Sequence, residues 1–198
     1  MSIYSIKSPE VLEKLMYYIA ANNSQAFAYA GIASNFGLDT ITIMTYLGYL
    51  KQAFLINILE NYSNNIAKII RANKKISILD NGIQNSLLKQ KEINDNMIGH
   101  TIKAMLDFDF RQLCEKENYK QFYYRNSDKE EIDIIIDRNI DIIPIEVKYT
   151  NQIETSDLKA IKAFINNNNL TKYGIVVTKN ILKKEENLFF IPYWLINL

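Results

Sequence analysis

The residues whose types and spacing could do chemistry cluster between Glu130 and Lys148. Two isoleucine-rich runs, 132–137 and 141–148, flank a polar turn at Asp137-Arg138-Asn139. Antiparallel pairing about a turn centred near Arg138 or Asn139 sets Asp133 opposite Ile145 or Glu146. Directly opposed, Asp133 and Glu146 would have Cβ atoms about 4.5–5.5 Å apart. Lys148 lies two residues beyond Glu146 and shares its face. Two opposed carboxylates repel each other, and an apolar setting sharpens the repulsion. A hard divalent cation between them relieves it. Mg²⁺ is commonly held by one or two carboxylates together with waters and phosphate oxygens. Such an ion activates water and neutralises a phosphorane-like transition state, and a neighbouring lysine stabilises the developing charge. The plainer alternative is a salt-bridge cluster on a solvated sheet face.

A second group of candidates is basic. Lys68, Arg71, Lys74 and Lys75 form a run that could contact phosphates, or that could simply be a solvated loop. The helix expected from Thr40 to Lys51 carries one base, Lys51, beside Thr42, Thr45 and Tyr46. So few cations suit protein docking as well as DNA.

Composition narrows the rest. The chain has 198 residues, 48% hydrophobic and 23% charged, with a net charge of +1. That is an ordinary globular composition, with no global electrostatic case for nucleic acid. A single cysteine, Cys114, excludes an internal disulfide framework, and a single histidine, His100, argues against histidine-rich metal sites. No apolar run approaches the roughly 20 residues of a membrane span, and the opening MSIYSIKSPE lacks a signal-peptide apolar region. The expectation is a cytoplasmic protein without membrane contact.

The elements that must position these residues fall into two groups. Ser8-Pro9-Glu10 starts a helix reaching about Ala21; a second runs from Tyr29 to Phe36 with Gly37 to close it; a third begins near Asp39-Thr40. Two short β-rich runs follow, FLINILE and KISIL, with the segment 61–75 between them as a wing. Three helices followed by two strands predict a winged helix-turn-helix over 1–90. The polar stretch 89–96 is the expected boundary. A long helix over about 97–117, strands at Lys120–Arg125, 132–137 and 141–148, a helix over 156–166 capped by Ser156, and strands at 173–178 and Leu188–Pro192 follow. This order, αβββαβ, predicts a mixed α/β domain over 91–198.

With its helix before and its helix–strand after, Asp133 followed by Glu146-Val147-Lys148 resembles the PD-(D/E)XK, restriction-endonuclease-like superfamily. The stretch ILDNGIQNSLL (78–88), Gly99 opening a helix, EIDIIID, IPIEVK and the closing IPYWL (191–195) together resemble the C-terminal domain of unknown function of archaeal and bacterial AAA-type P-loop ATPases. The resemblance covers nearly the whole chain. It implies a nuclease-like, nucleic-acid-associated module, cutting phosphodiesters with Mg²⁺ or Mn²⁺ if active. Asp133, Glu146 and the Val147 carbonyl would hold the metal, and Lys148 would assist the water. Duplex DNA, bound weakly, and an ATPase acting in trans are the implied partners, and a non-catalytic DNA-binding or protein-docking module is the alternative. The chain departs from the pattern in three places. It has no GxxxxGK[ST], so ATP hydrolysis is not assigned to it; Ile132 stands where the family carries proline; and Lys103 stands where it often carries an acid, with Asp107 one turn on as a substitute.

Overall fold

The structure, a computed structural model, describes residues 8–89 and 95–196. The boundary expected at 90/91 lies outside the described residues. The fold is mixed α/β, with seven α-helices packed around one nine-stranded, mostly antiparallel sheet among the described residues.

In the first half α1 (Pro9–Ala21), β1 (Gln25–Phe27), α2 (Tyr29–Phe36), α3 (Thr40–Gln52), β2 (Ile56–Asn61), α4 (Ile66–Arg71), β3 (Lys74–Ile78) and α5 (Asn81–Leu87) follow one another. The helix signals act as elementary chemistry requires. Pro9 opens α1 with its locked φ. Gly37 closes α2 in the left-handed region at φ 63°. The Asp39 carboxylate accepts from the Thr42 amide at the start of α3. Ser8 does not cap α1 through its side chain; its hydroxyl donates to Glu10 instead. Strand β3 pairs antiparallel with both β1 and β2. Leu15, Ile19, Ile32, Ile43, Leu47, Ile56 and Ile78 form the core of this half.

The segment expected to be an open basic wing is not one. Its middle folds as α4, capped by Asn65, whose carbonyl oxygen accepts from the Ala67 and Lys68 amides. Lys74 and Lys75 are strand residues, each only 7% exposed.

The second half runs α6 (Asp95–Glu117), β4 (Lys120–Arg125), β5 (Glu131–Asp137), β6 (Ile142–Lys148), a 3-10 turn (Thr155–Leu158), α7 (Lys159–Asn167), β7 (Gly174–Thr178), β8 (Lys183–Glu185) and β9 (Leu188–Pro192). Helix α6 covers one face through Ile102, Leu106, Phe110 and Cys114, which meet Ile134, Ile136, Ile143 and Ile145. Helix α7 covers the other through Ile161, Phe164 and Ile165, which meet Ile132, Ile135 and Val176. The 3-10 turn is capped by Glu154 with Asp157 in a reciprocal box, a role expected of Ser156. At Gly174 a Cβ would stand 2.8 Å from Ile161 Cδ1, so α7 approaches β7 where no side chain intervenes.

The sheet runs through both halves in the order β1-β3-β2-β4-β5-β6-β7-β9-β8. The join is a short parallel ladder between β2 and β4, with Glu60 beside Phe122 and Asn61 beside Tyr123.

Candidate functional site at the β5–β6 hairpin

Strands β5 and β6 pair with Ile134 opposite Ile145 and Asp137 opposite Ile142. The ladder ends at Ile134, one residue before Asp133. On its other side β5 is irregular. Phe122 pairs with Ile135 but Tyr124 with Ile132, so Asp133 and Ile134 together stand against Tyr123. Such a bulge bends the strand and re-aims its side chains. It explains why Ile132 packs with Ile135 toward α7 while Ile134 packs toward α6.

Asp133 is 8% exposed, and its carboxylate is fully engaged by cations and an amide. The Val147 N–H donates to Oδ2 at 3.0 Å. Lys103, on α6, places its Nζ 2.9 Å from the carboxylate. Lys75, on β3, places its Nζ 3.3 Å from Oδ1 and 2.8 Å from Glu131 Oε1. Burial pushes the Asp133 carboxyl up, but Lys103, Lys75 and the Val147 amide overcome it and hold it well below the usual carboxylate range. The same pairing overcomes the effect of burial on Lys75 and holds its ammonium above the usual lysine range. Lys75 is therefore not available to phosphate. Neither is Lys74, whose ammonium donates to the Ile69 and Ile70 carbonyls and lies 3.6 Å from Glu60. Of the basic residues expected at a nucleic-acid surface, Lys51, Lys68 and Arg71 are exposed.

Glu146 has a different environment. Lys148 Nζ lies 3.3 Å from its Oε1 and 3.3 Å from Asp157 Oδ1. Its Oε2 is buried and has no hydrogen-bond partner. Burial, and then the negative charge of Asp133, push the Glu146 carboxyl up to about 8. Glu146 and Lys148 alternate along β6 with Ile145 and Val147, which pack toward α6.

Asp107, the acid expected to replace a missing one on the helix, is committed elsewhere. Ser77 Oγ and Asn57 Nδ2 donate to its Oδ2, and Gln121 Nε2 donates to Oδ1 at 2.8 Å. Burial raises its carboxyl above the ordinary range.

These residues do not fit a divalent ion. The lone pairs of Asp133 are taken by two ammonium groups and a main-chain amide. The crevice beside Lys75, Lys103, Asp107 and Asp133 has a volume of only about 20 Å³, room for about one water, whereas Mg²⁺ keeps several. Among the described residues no three or more His, Cys, Asp or Glu side chains group so as to hold a metal. Sequence reasoning grouped Asp133, Glu146 and Lys148 from the strands and Lys103 from the family resemblance; the structure pairs Lys103 with Asp133 and Lys148 with Glu146, and adds Lys75, which comes from the other half of the chain. Its only sequence signal was position, in a five-residue β-rich run whose every residue is buried.

Among the described residues no helix is long and apolar enough to cross a membrane. No curated protein matches the chain. A crystal structure of protein VC1899 from Vibrio cholerae is similar at a TM-score of 0.35 and 12% sequence identity, covering 92% of this chain and 47% of that chain. This chain thus spans about half the length of that one. Residues 2–94 match the family model described as Domain of unknown function (DUF8612), and residues 109–196 match the one described as Domain of unknown function (DUF4143).

Proposed function

We propose that this chain is a non-catalytic docking module with a nuclease-like fold, working with an AAA-type ATPase. The observation that carries the reading is the filling of the Asp133 carboxylate by Lys103 and Lys75. A nuclease of the PD-(D/E)XK kind needs that carboxylate open to a divalent ion, and here it neutralises two ammonium groups, that of Lys75 buried and that of Lys103 half-buried. Four further observations support the reading. The order α6-β4-β5-β6-α7-β7 is the αβββαβ order of that superfamily. The order α1-β1-α2-α3-β2-α4-β3, with the strands antiparallel and α4 inserted between β2 and β3, suits a winged helix whose α3 would be the reading helix. The outward residues of α3 include Ile41 at 76% and Met44 at 49% exposure, with Lys51 as the helix's one base. That face favours a protein partner over a phosphate backbone. The C-terminal family is typically associated with AAA ATPases.

Thermal melting with Mn²⁺ and Mg²⁺, run beside cleavage assays on DNA and RNA, tests the reading. The expected result is no metal-dependent stabilisation and no cleavage. A melting temperature that rises with metal concentration as site-specific binding requires, together with cleavage abolished by Asp133→Asn, would overturn it in favour of a working nuclease.

A further inference from the structure

We propose that Asp133 and Asp107 are the joints that dock the N-terminal half of the chain onto the C-terminal half. The two halves have largely separate cores. The first core is built from residues of the N-terminal half alone, and Tyr62 and Ile69 are its contributions to the buried core of the second. Between them the sheet is continuous through just two residue pairs of the β2–β4 ladder. Beside the packing of Tyr62 on Phe122 and Phe164, both buried acids supply polar bonds across this junction.

Asp133 belongs to β5 and takes Lys103 and the Val147 amide from its own half, but Lys75 comes from β3 of the other. Asp107 belongs to α6 and takes Gln121 from its own half, but Asn57 and Ser77 come from β2 and β3. Each carboxylate is thus bonded from both sides of the junction. Two smaller contacts continue the pattern. Asn61 uses its side-chain amide as a strand would, donating to the Arg125 carbonyl and accepting from the Arg125 amide, both at 2.9 Å. The Tyr123 hydroxyl donates to the Asn73 carbonyl at 2.7 Å. A buried charge left without its partner is strongly unfavourable, so these joints hold one relative placement of the halves and penalise others. The acids that a nuclease would spend on a metal are spent here on joining two units.

Hydrogen exchange on the full chain tests the proposal, because one amide reports the junction directly: the Tyr62 N–H donates to the Tyr123 carbonyl across it at 2.7 Å. In Lys75→Met, exchange at Tyr62 should rise on the order of tenfold or more, while protection in the β2–β3 and β5–β6 ladders stays near wild type. Ser77→Ala, a gentler variant that leaves Asp107 with Asn57 and Gln121, should raise exchange at Tyr62 in the same selective way but by less. Lys103→Met removes a cation from Asp133 without touching the junction, so its effect should centre on the β5–β6 ladder. Unchanged Tyr62 protection in both Lys75→Met and Ser77→Ala would overturn the proposal. So would loss of protection everywhere at once in the two variants, which would make the acids general stabilisers rather than joints.

Discussion

Lys103 Nζ, on α6, lies 2.9 Å from the carboxylate of Asp133 on β5. The contact changes what Asp133 can be. Its carboxyl is held well below the usual range, so it stays ionised at neutral pH although it is buried. A carboxylate depressed in the folded state stabilises at all pH values above its unfolded value and is lost only as pH falls through the folded one. Asp133 therefore gives no pH dependence near neutrality.

Removing that lysine should be costly. Lys103→Met is expected to destabilise by about 2–3 kcal/mol, less than the full loss of a buried pair because Lys75 still faces Asp133. Adding Asp133→Asn should cost further stability, because it also takes a partner from Lys75, but by less than the two single losses sum to, since both changes act on one cluster. Urea unfolding midpoints of the single and double variants measure both. A midpoint for Lys103→Met within error of wild type would show that the pair contributes nothing.

Glu146 titrates with the opposite sign. Its folded carboxyl is pushed up to about 8, above the ordinary 4.5, so the native state holds this proton more tightly than the unfolded chain does. Its contribution is favourable in acid and is lost as pH rises from about 4.5 to about 8. Glu146→Gln should flatten this dependence. It should also stabilise the protein near about pH 9 by about 1–3 kcal/mol, the penalty of a buried acceptor without a partner. Unfolding at about pH 5 and about pH 9 separates the outcomes, and a wild type equally stable at both would contradict the assignment.

Duplex DNA should bind poorly. With Lys74 and Lys75 engaged inside the protein, Lys68 and Arg71 remain as exposed cations of the original run. Reversing both to glutamate should change the slope of log affinity against log salt by no more than about two units. Fluorescence anisotropy at several salt concentrations reads this, and a steeper wild-type slope would point to a basic surface elsewhere.

The close approach at Gly174 gives a check on the α7 side of the fold. Gly174→Ala should destabilise by about 1–3 kcal/mol, because the new methyl meets Ile161 and Ile165 in a packed core. A thermal melt unchanged from wild type would mean that α7 sits farther from β7 than described.

Much of this was legible in the sequence where local chemistry decides. Pro9, Gly37 and Asp39 mark helix ends by φ and capping alone. The two isoleucine runs announce the β5–β6 hairpin, while Lys103 was tied to that hairpin by the family resemblance alone. What was not legible depends on contacts distant along the chain. Strand β1 is three residues long and exists because β3 pairs with it. Helix α4 is six residues long, too short for periodicity to announce. Lys74 and Lys75 read as a basic run, phosphate-contacting or solvated, because the Glu131 and Asp133 that receive Lys75 lie more than fifty residues downstream. The bulge at Asp133 likewise needs β4 alongside it before it has any meaning.

The parallel pairing of β2 with β4 also sets an order of events in time. Strands β2 and β3 close among near neighbours, and so does the β4–β5–β6 meander, while β1 reaches β3 across α2, α3 and β2, and the β2–β4 ladder joins residues farther apart still. Loop-closure entropy makes such a contact late. On a growing chain the first sheet has all of its strands before Asp107 and Asp133 have been synthesised. Until they arrive, Lys75 and the Asn57–Ser77 pair face water, fully hydrated. The last step of folding is then the desolvation of these groups together, so assembly of the whole chain should slow at low pH, where Asp133 arrives protonated and must lose its proton to pair with Lys75 and Lys103.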